Sequence, residues 1–198
     1  MPVWPDSPGV GIERFLSIES GGPANASLLS MDVHCGTHID APLHFIDGAA
    51  SVESIPLDRL VGDAFVLATG TSDAIDAQLL EAADIPASTT RLLLKTANSD
   101  RTDLEDGPFD ADYCGLTPDG AEWVVERGIG LIGIDYMSIQ RFDDPPDAHT
   151  TLLGAGVVIL EGLRLVAAPP GPCELICMPL LIEGAEAAPA RAAIRIPS

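Results

Sequence analysis

Lysine is almost missing from this chain. Lys95 is the only one, beside nine arginines, and the 30 acidic residues leave a formal net charge of −20. A surface that negative repels phosphate backbones and anionic lipid, so nucleic acid and membrane surfaces are excluded as expected partners. Long apolar runs are also lacking. No stretch of 18 or more apolar residues exists, so no transmembrane helix is expected. The first residues carry no basic segment followed by an apolar run, so a secretion signal is not expected either. No C-x-x-C occurs, which argues against a thiol redox motif. Cys35, Cys114, Cys173 and Cys177 are scattered, and they read as reduced, mostly buried thiols of a cytoplasmic protein.

Hydrophobic residues make up 46% of the 198 and charged ones 20%, a globular composition. That length fits one domain over residues 1–198 with a sizeable core. The pattern reads as a mixed α/β chain with more strands than helices. Residues 12–19, 27–34, 63–69, 91–96, 129–136, 157–161, 173–182 and 192–196 have strand character. Asp76 is a candidate N-cap for a short helix to Ala83, and Thr117-Pro118 opens another that Gly128 ends. A helical patch is expected over Thr150 to Leu153, with His149 just before it. Gly128-Ile129-Gly130 lies between helix and strand. A phosphate loop needs the reverse order, so a nucleotide site is discounted. Asp100, Asp103, Glu105, Asp106, Asp110 and Asp112 lack the ligand spacing of an EF-hand and read as a solvated acidic loop.

Three of the four histidines fall within eleven residues, His34-Cys35-Gly36-Thr37-His38-Ile39-Asp40-Ala41-Pro42-Leu43-His44. Imidazole nitrogen and carboxylate oxygen are common ligands for a hydrolytic divalent metal. The even-numbered residues share one face of an extended chain. A straight strand would separate His34 from His44 by about 33 Å, too far for one site. The segment must therefore bend, and Gly36 and Pro42 permit it. Helix is opposed by Gly36, Thr37 and Pro42, so the stretch reads as a strand end running into a shaped loop. Three unrelated histidines are the alternative, disfavoured by their regular interleaving with Gly36 and Asp40. Cys35, at an odd position, should point away from the others.

This stretch resembles the H-x-G-T-H-x-D-x-P-x-H signature of the cyclase family, which includes bacterial kynurenine formamidases and isatin hydrolases. All of its fixed positions are matched. The resemblance continues through residues 129–136, Met178-Pro179-Leu180 and Pro189-Ala190-Arg191-Ala192. Met1-Pro2-Val3-Trp4-Pro5-Asp6 is similar to the family's P-V-W-P-G-D turn without its glycine. The strand that members carry before that turn is missing, so a shortened form is expected. Lys95-Thr96-Ala97-Asn98 stands where members have an R-T-G pattern.

The resemblance implies a swivelling β/β/α fold, with a mixed central β-sheet flanked by short helices. It implies His34, His38 and Asp40 on one metal, and His149 and Glu161 on a second bridged by Asp40, with Zn²⁺ (one or two per chain) or Mn²⁺ as cofactor. A hydroxide made by that metal would attack an amide carbonyl. His44 is implied as the general acid/base that protonates the leaving nitrogen. The substrate implied is N-formyl-L-kynurenine, cleaved to L-kynurenine and formate. Trp4 and Phe45 are the candidate substrate contacts, with Phe142 a further aromatic. Hydrolysis of isatin or another cyclic amide or lactone is the alternative, and a non-catalytic metal-binding member is a further one. Related enzymes are homo-oligomers, so a dimer or tetramer is expected.

Overall fold

A computed structural model describes residues 3–101 and 109–196. Asp103, Glu105 and Asp106 of the acidic stretch lie outside these, as do Met1 and Pro2.

In chain order the strands are β1 (Val10–Leu16), β2 (Ala26–Met31), β3 (His38–Asp40), β4 (Val61–Ala68), β5 (Ala74–Ile75), β6 (Arg91–Lys95), β7 (Gly115–Leu116), β8 (Leu131–Ile134), β9 (Val158–Glu161), β10 (Gly171–Pro179) and β11 (Ala187–Arg195). The helices are α1 (Leu57–Leu60), α2 (Ala77–Ala82), α3 (Pro118–Glu126) and α4 (Asp147–Gly154). Asp76 caps α2 by accepting from the Leu79 N–H at 2.8 Å, and Thr117 caps α3 through the Gly120 N–H. No helix among the described residues is long and apolar enough to cross a membrane.

The expected mixed sheet is present, and it closes on itself. β4, β6, β8 and β9 run parallel, while β3, β11 and β10 continue antiparallel until β10 pairs with β4. The parallel strands carry continuous apolar runs because both of their faces are covered. Leu93, Leu131 and Leu160 point inward to meet Ile39, Val66 and Leu175. Leu92, Leu94, Ile132, Ile134 and Ile159 point outward under α3 and α4, against Val124 and Leu152. Each fully buried Leu or Ile contributes about 1.5–3 kcal/mol of transfer free energy.

This alternation positions the chemistry. On β3 only Ile39 faces the interior cluster, so His38 and Asp40 face outward, toward the layer that α4 covers. In the β3–β9 pairing His38 stands opposite Glu161. Glu161 and Ile159 share a face of β9, so Glu161 also points toward α4.

Two expectations are corrected. β2 ends at Met31, so His34 is delivered by the loop over residues 32–37 and not by a strand end. Asp32 turns the chain there: its carbonyl accepts the Cys35 N–H and its carboxylate the His34 N–H. His149 lies inside α4, not before it, because the helix already starts at Asp147 after Pro145-Pro146.

Candidate active site

The candidate site is built from the segment over residues 32–44, the end of β9 and the first turns of α4. His38 is fully buried on β3, and its Nδ1 is 2.9 Å from the Gly36 carbonyl. A carbonyl only accepts, so Nδ1 carries a hydrogen and Nε2 faces the cluster. That Nε2 lies 3.4 Å from Asp40 Oδ1 and 3.2 Å from Glu161 Oε2. The His34 Nδ1 is 3.2 Å from the same Asp40 oxygen.

From the other side, His149 Nε2 lies 3.2 Å from Glu161 Oε1, and its Nδ1 is 3.3 Å from Gln140 Oε1. The Ile139 N–H donates to Glu161 Oε1 at 2.7 Å. Two groups of donor atoms result, His34/His38/Asp40 and Asp40/His149/Glu161, each with ligand atoms within 4.8 Å of one another. Asp40 belongs to both. The structure therefore gathers all five of the residues that the resemblance singled out as ligands. Cys35 is buried and belongs to neither group.

The electrostatics are those of acceptors crowded together. Burial opposes charge on His38, but the adjacent Glu161 and Asp40 carboxylates outweigh it and push it up to about 9. Burial likewise opposes charge on His149, and Glu161 again prevails and raises it. Burial would raise Glu161, yet its contacts to His149 and His38 hold it well below the carboxylate range. His34 Nε2, His38 Nε2 and both Asp40 oxygens are buried without a hydrogen-bond partner. Orphaned buried polar atoms cost about 1–3 kcal/mol each, and more when charged. A divalent cation there would satisfy His38 Nε2 and Asp40. The nitrogen and oxygen donors suit one.

His44 sits apart from both groups, in a 3₁₀ turn over Pro42–His44. Its ring is 4.1 Å from that of His34 and 4.4 Å from that of Phe45. Burial pushes its pKa down, against the pull of Asp40. A cavity of about 220 Å³ opens beside it, lined in part by Trp4, Asp32, His44, Phe45, Met137 and Ser138. Phe45 also stacks on the His149 ring at 4.5 Å. Phe142 does not line this cavity but packs on Trp4 at 5.4 Å, as does Phe109 at 5.1 Å. Sequence reasoning missed Asp32 and Gln140. Asp32 had a faint signal, two residues before the first histidine, whereas Gln140 had none.

Gly162 locks the two halves together. It has φ of +65°, and a Cβ there would collide with the Gly36 carbonyl that orients His38. Thr37 Oγ1 donates to the Gly162 carbonyl at 2.6 Å, holding the same contact from the other side. Gly162→Ala should lower the thermal midpoint and weaken metal retention together. Normal metal content in a folded Gly162→Ala protein would show that this contact does not set the His38 position.

Residues 1–141 match the Cyclase family. The chain is 38% identical over 199 residues to cyclase-like protein 3 of Oryza sativa subsp. japonica, covering 96% of this chain and 74% of that protein. It is 36% identical over 201 residues to cyclase-like protein 1 of Arabidopsis thaliana, covering 96% and 78%. A solved structure described as a "potential metal-dependent hydrolase with cyclase activity" superposes with a TM-score of 0.84 at 36% identity, over 100% of this chain and 93% of that one. Isatin hydrolase A from Labrenzia aggregata, bound to benzyl benzoate, superposes with a TM-score of 0.80 at 26% identity, over 99% and 88%.

Proposed function

The chain belongs to the cyclase family, and from that premise we propose a metal-dependent amide hydrolase that cleaves N-formyl-L-kynurenine to L-kynurenine and formate. The observation that carries this reading is the pair of donor groups joined through Asp40, with four buried polar atoms left unpartnered. His34, His38 and Asp40 would hold one cation, and Asp40, His149 and Glu161 a second, with Zn²⁺ or Mn²⁺ as the candidates. When bound, such a cation polarises a carbonyl and makes a water acidic near neutrality.

The chain's own residues do the rest. Gly36 and Gln140 orient the rings of His38 and His149 through their Nδ1 atoms. In the reaction water adds to the formyl carbon, the C–N bond breaks, and the nitrogen gains a proton. His44 carries that proton. Its support is its place beside His34 and outside both donor groups. Trp4 and Phe45 form the aromatic wall for the substrate ring.

The likeness to an isatin hydrolase favours one second reading, opening of a cyclic amide. A panel of N-formylkynurenine, isatin and simple aryl formamides, with Zn²⁺ or Mn²⁺ added, separates the two. Absence of formate from N-formylkynurenine removes the formamidase reading, and ring opening of isatin alone replaces it.

The working unit is a homo-oligomer, a dimer or tetramer, in a reducing compartment such as the cytoplasm. Four free, buried cysteines support the compartment. The β1–β2 ribbon supports the assembly. It forms a separate two-stranded sheet with Ile12, Phe15, Leu28 and Leu29 exposed, and such a ribbon is marginal in water by itself. Ile12 pairs with Leu29, so Ile12→Glu should dissociate the assembly in analytical ultracentrifugation. A monomeric parent protein would rule the assembly out.

A further inference from the structure

We propose that Asp32 recognises a positively charged ammonium group on the substrate, so that the site selects aryl compounds with a cationic arm over those with an anionic one. The inference rests on the hydrolase reading and deepens it by naming a substrate class.

Asp32 lines the cavity beside the donor groups, together with Trp4, Phe45 and Met137. Its carboxylate is held rigidly. Ser7 Oγ donates to Oδ2 at 2.7 Å, and the His34 N–H donates to Oδ1 at 3.0 Å. Each carboxylate oxygen has a second lone pair, so both retain acceptor capacity. No arginine or lysine lines this cavity among the described residues. Near Phe109 and Phe142, which back Trp4, Arg101 pairs with Asp110 and Arg141 with Asp144. Among the described residues, no arginine or lysine side chain in the cavity competes for Asp32, so an ammonium group on the ligand can pair with it.

The surroundings agree. Trp4 presents an indole ring to the cavity and is backed by Phe109 and Phe142, and a ring face attracts a cation through its quadrupole. A net charge of −20 enriches cations around the whole molecule. For N-formyl-L-kynurenine this places the α-ammonium on Asp32.

The competing role for Asp32 is to pin the loop that carries His34. Asp32→Asn separates the two roles, because the amide oxygen still accepts from His34 and its NH₂ donates to Ser7 Oγ. The probes are phenethylamine and 3-phenylpropionate, matched in ring and arm but opposite in charge, titrated calorimetrically into the metal-loaded protein. The parent should bind the amine at least about ten-fold tighter than the acid, as a charge-assisted hydrogen bond implies. Asp32→Asn should erase that preference with metal content unchanged. In turnover of aryl formamides with an ammonium arm, it should raise KM more than it lowers kcat.

Equal binding of the two probes by the parent overturns the proposal. So does an Asp32→Asn protein that keeps the preference, or one that loses metal and weakens both probes alike. The titrations need no turnover. Failure of every amide substrate would remove the hydrolase reading while the charge preference is still read, and full hydrolysis without charge preference removes only the role of Asp32.

Discussion

Asp40→Asn should reduce amide hydrolysis by about a thousandfold or more, while the metal-free protein, at a pH above the His38 value of about 9, becomes no less stable than its parent. The two halves of that expectation come from one fact. Asp40 is completely buried, belongs to both donor groups, and has no hydrogen-bond donor on either oxygen. His34 and His38 lie at 3.2 and 3.4 Å from Oδ1, within ion-pair reach but without hydrogen-bond geometry. A buried carboxylate in that state destabilises the fold by several kcal/mol before compensation. An amide of the same shape removes the charge and leaves the packing. Above the His38 value of about 9, where no protonated imidazole faces Asp40, the metal-free thermal midpoint should therefore hold or rise.

The loaded protein should behave in the opposite way. A ligand that binds only the native state stabilises it in proportion to the logarithm of its concentration over Kd. Added Zn²⁺ or Mn²⁺ should raise the midpoint of the parent and leave that of Asp40→Asn nearly unchanged. Metal content after dialysis, thermal melts with and without metal, and kcat/KM form one experiment. If the variant keeps both its metal and its activity, Asp40 is not the shared ligand and the two-group site is wrong.

Part of this site was readable from residue order alone. His38 and Asp40 lie on one face of β3 because side chains alternate, and Ile39 turns to the interior as the same rule demands. The composition of β6, β8 and β9 marked them as strands. Asp76 and Thr117 marked their helix starts through the hydrogen bonds their side chains make. The convergence of His149 and Glu161 on His34, His38 and Asp40 was not readable without a family pattern. It depends on the register that sets His38 opposite Glu161, and on α4 crossing back over β9. Barrel closure was hidden for a similar reason, since it rests on β10 pairing with both β4 and β11. Local rules also failed at Met31. Ser27 to His34 has strand composition, but the backbone and side-chain hydrogen bonds of Asp32 end the strand three residues early.

His44→Ala should lower kcat by about 10²- to 10⁴-fold and leave metal content unchanged, the range for loss of a general acid/base. The reasoning starts from exclusion. His44 shares the motif with His34 and His38, yet it belongs to neither donor group. Its ring lies against those of His34 and Phe45 and borders the cavity that would receive the substrate. An imidazole there would reach a substrate amide in the cavity without competing for a cation in either donor group. His34→Ala, by comparison, should lose metal and activity together. Free imidazole added to His44→Ala should restore part of the rate, because the deletion leaves ring-sized space open to the cavity. His44→Gln keeps most of that volume and should respond less. If His44→Ala loses metal in step with activity, His44 is a ligand and the proton must travel by another group; if its rate is unchanged, the leaving nitrogen takes its proton without help from His44.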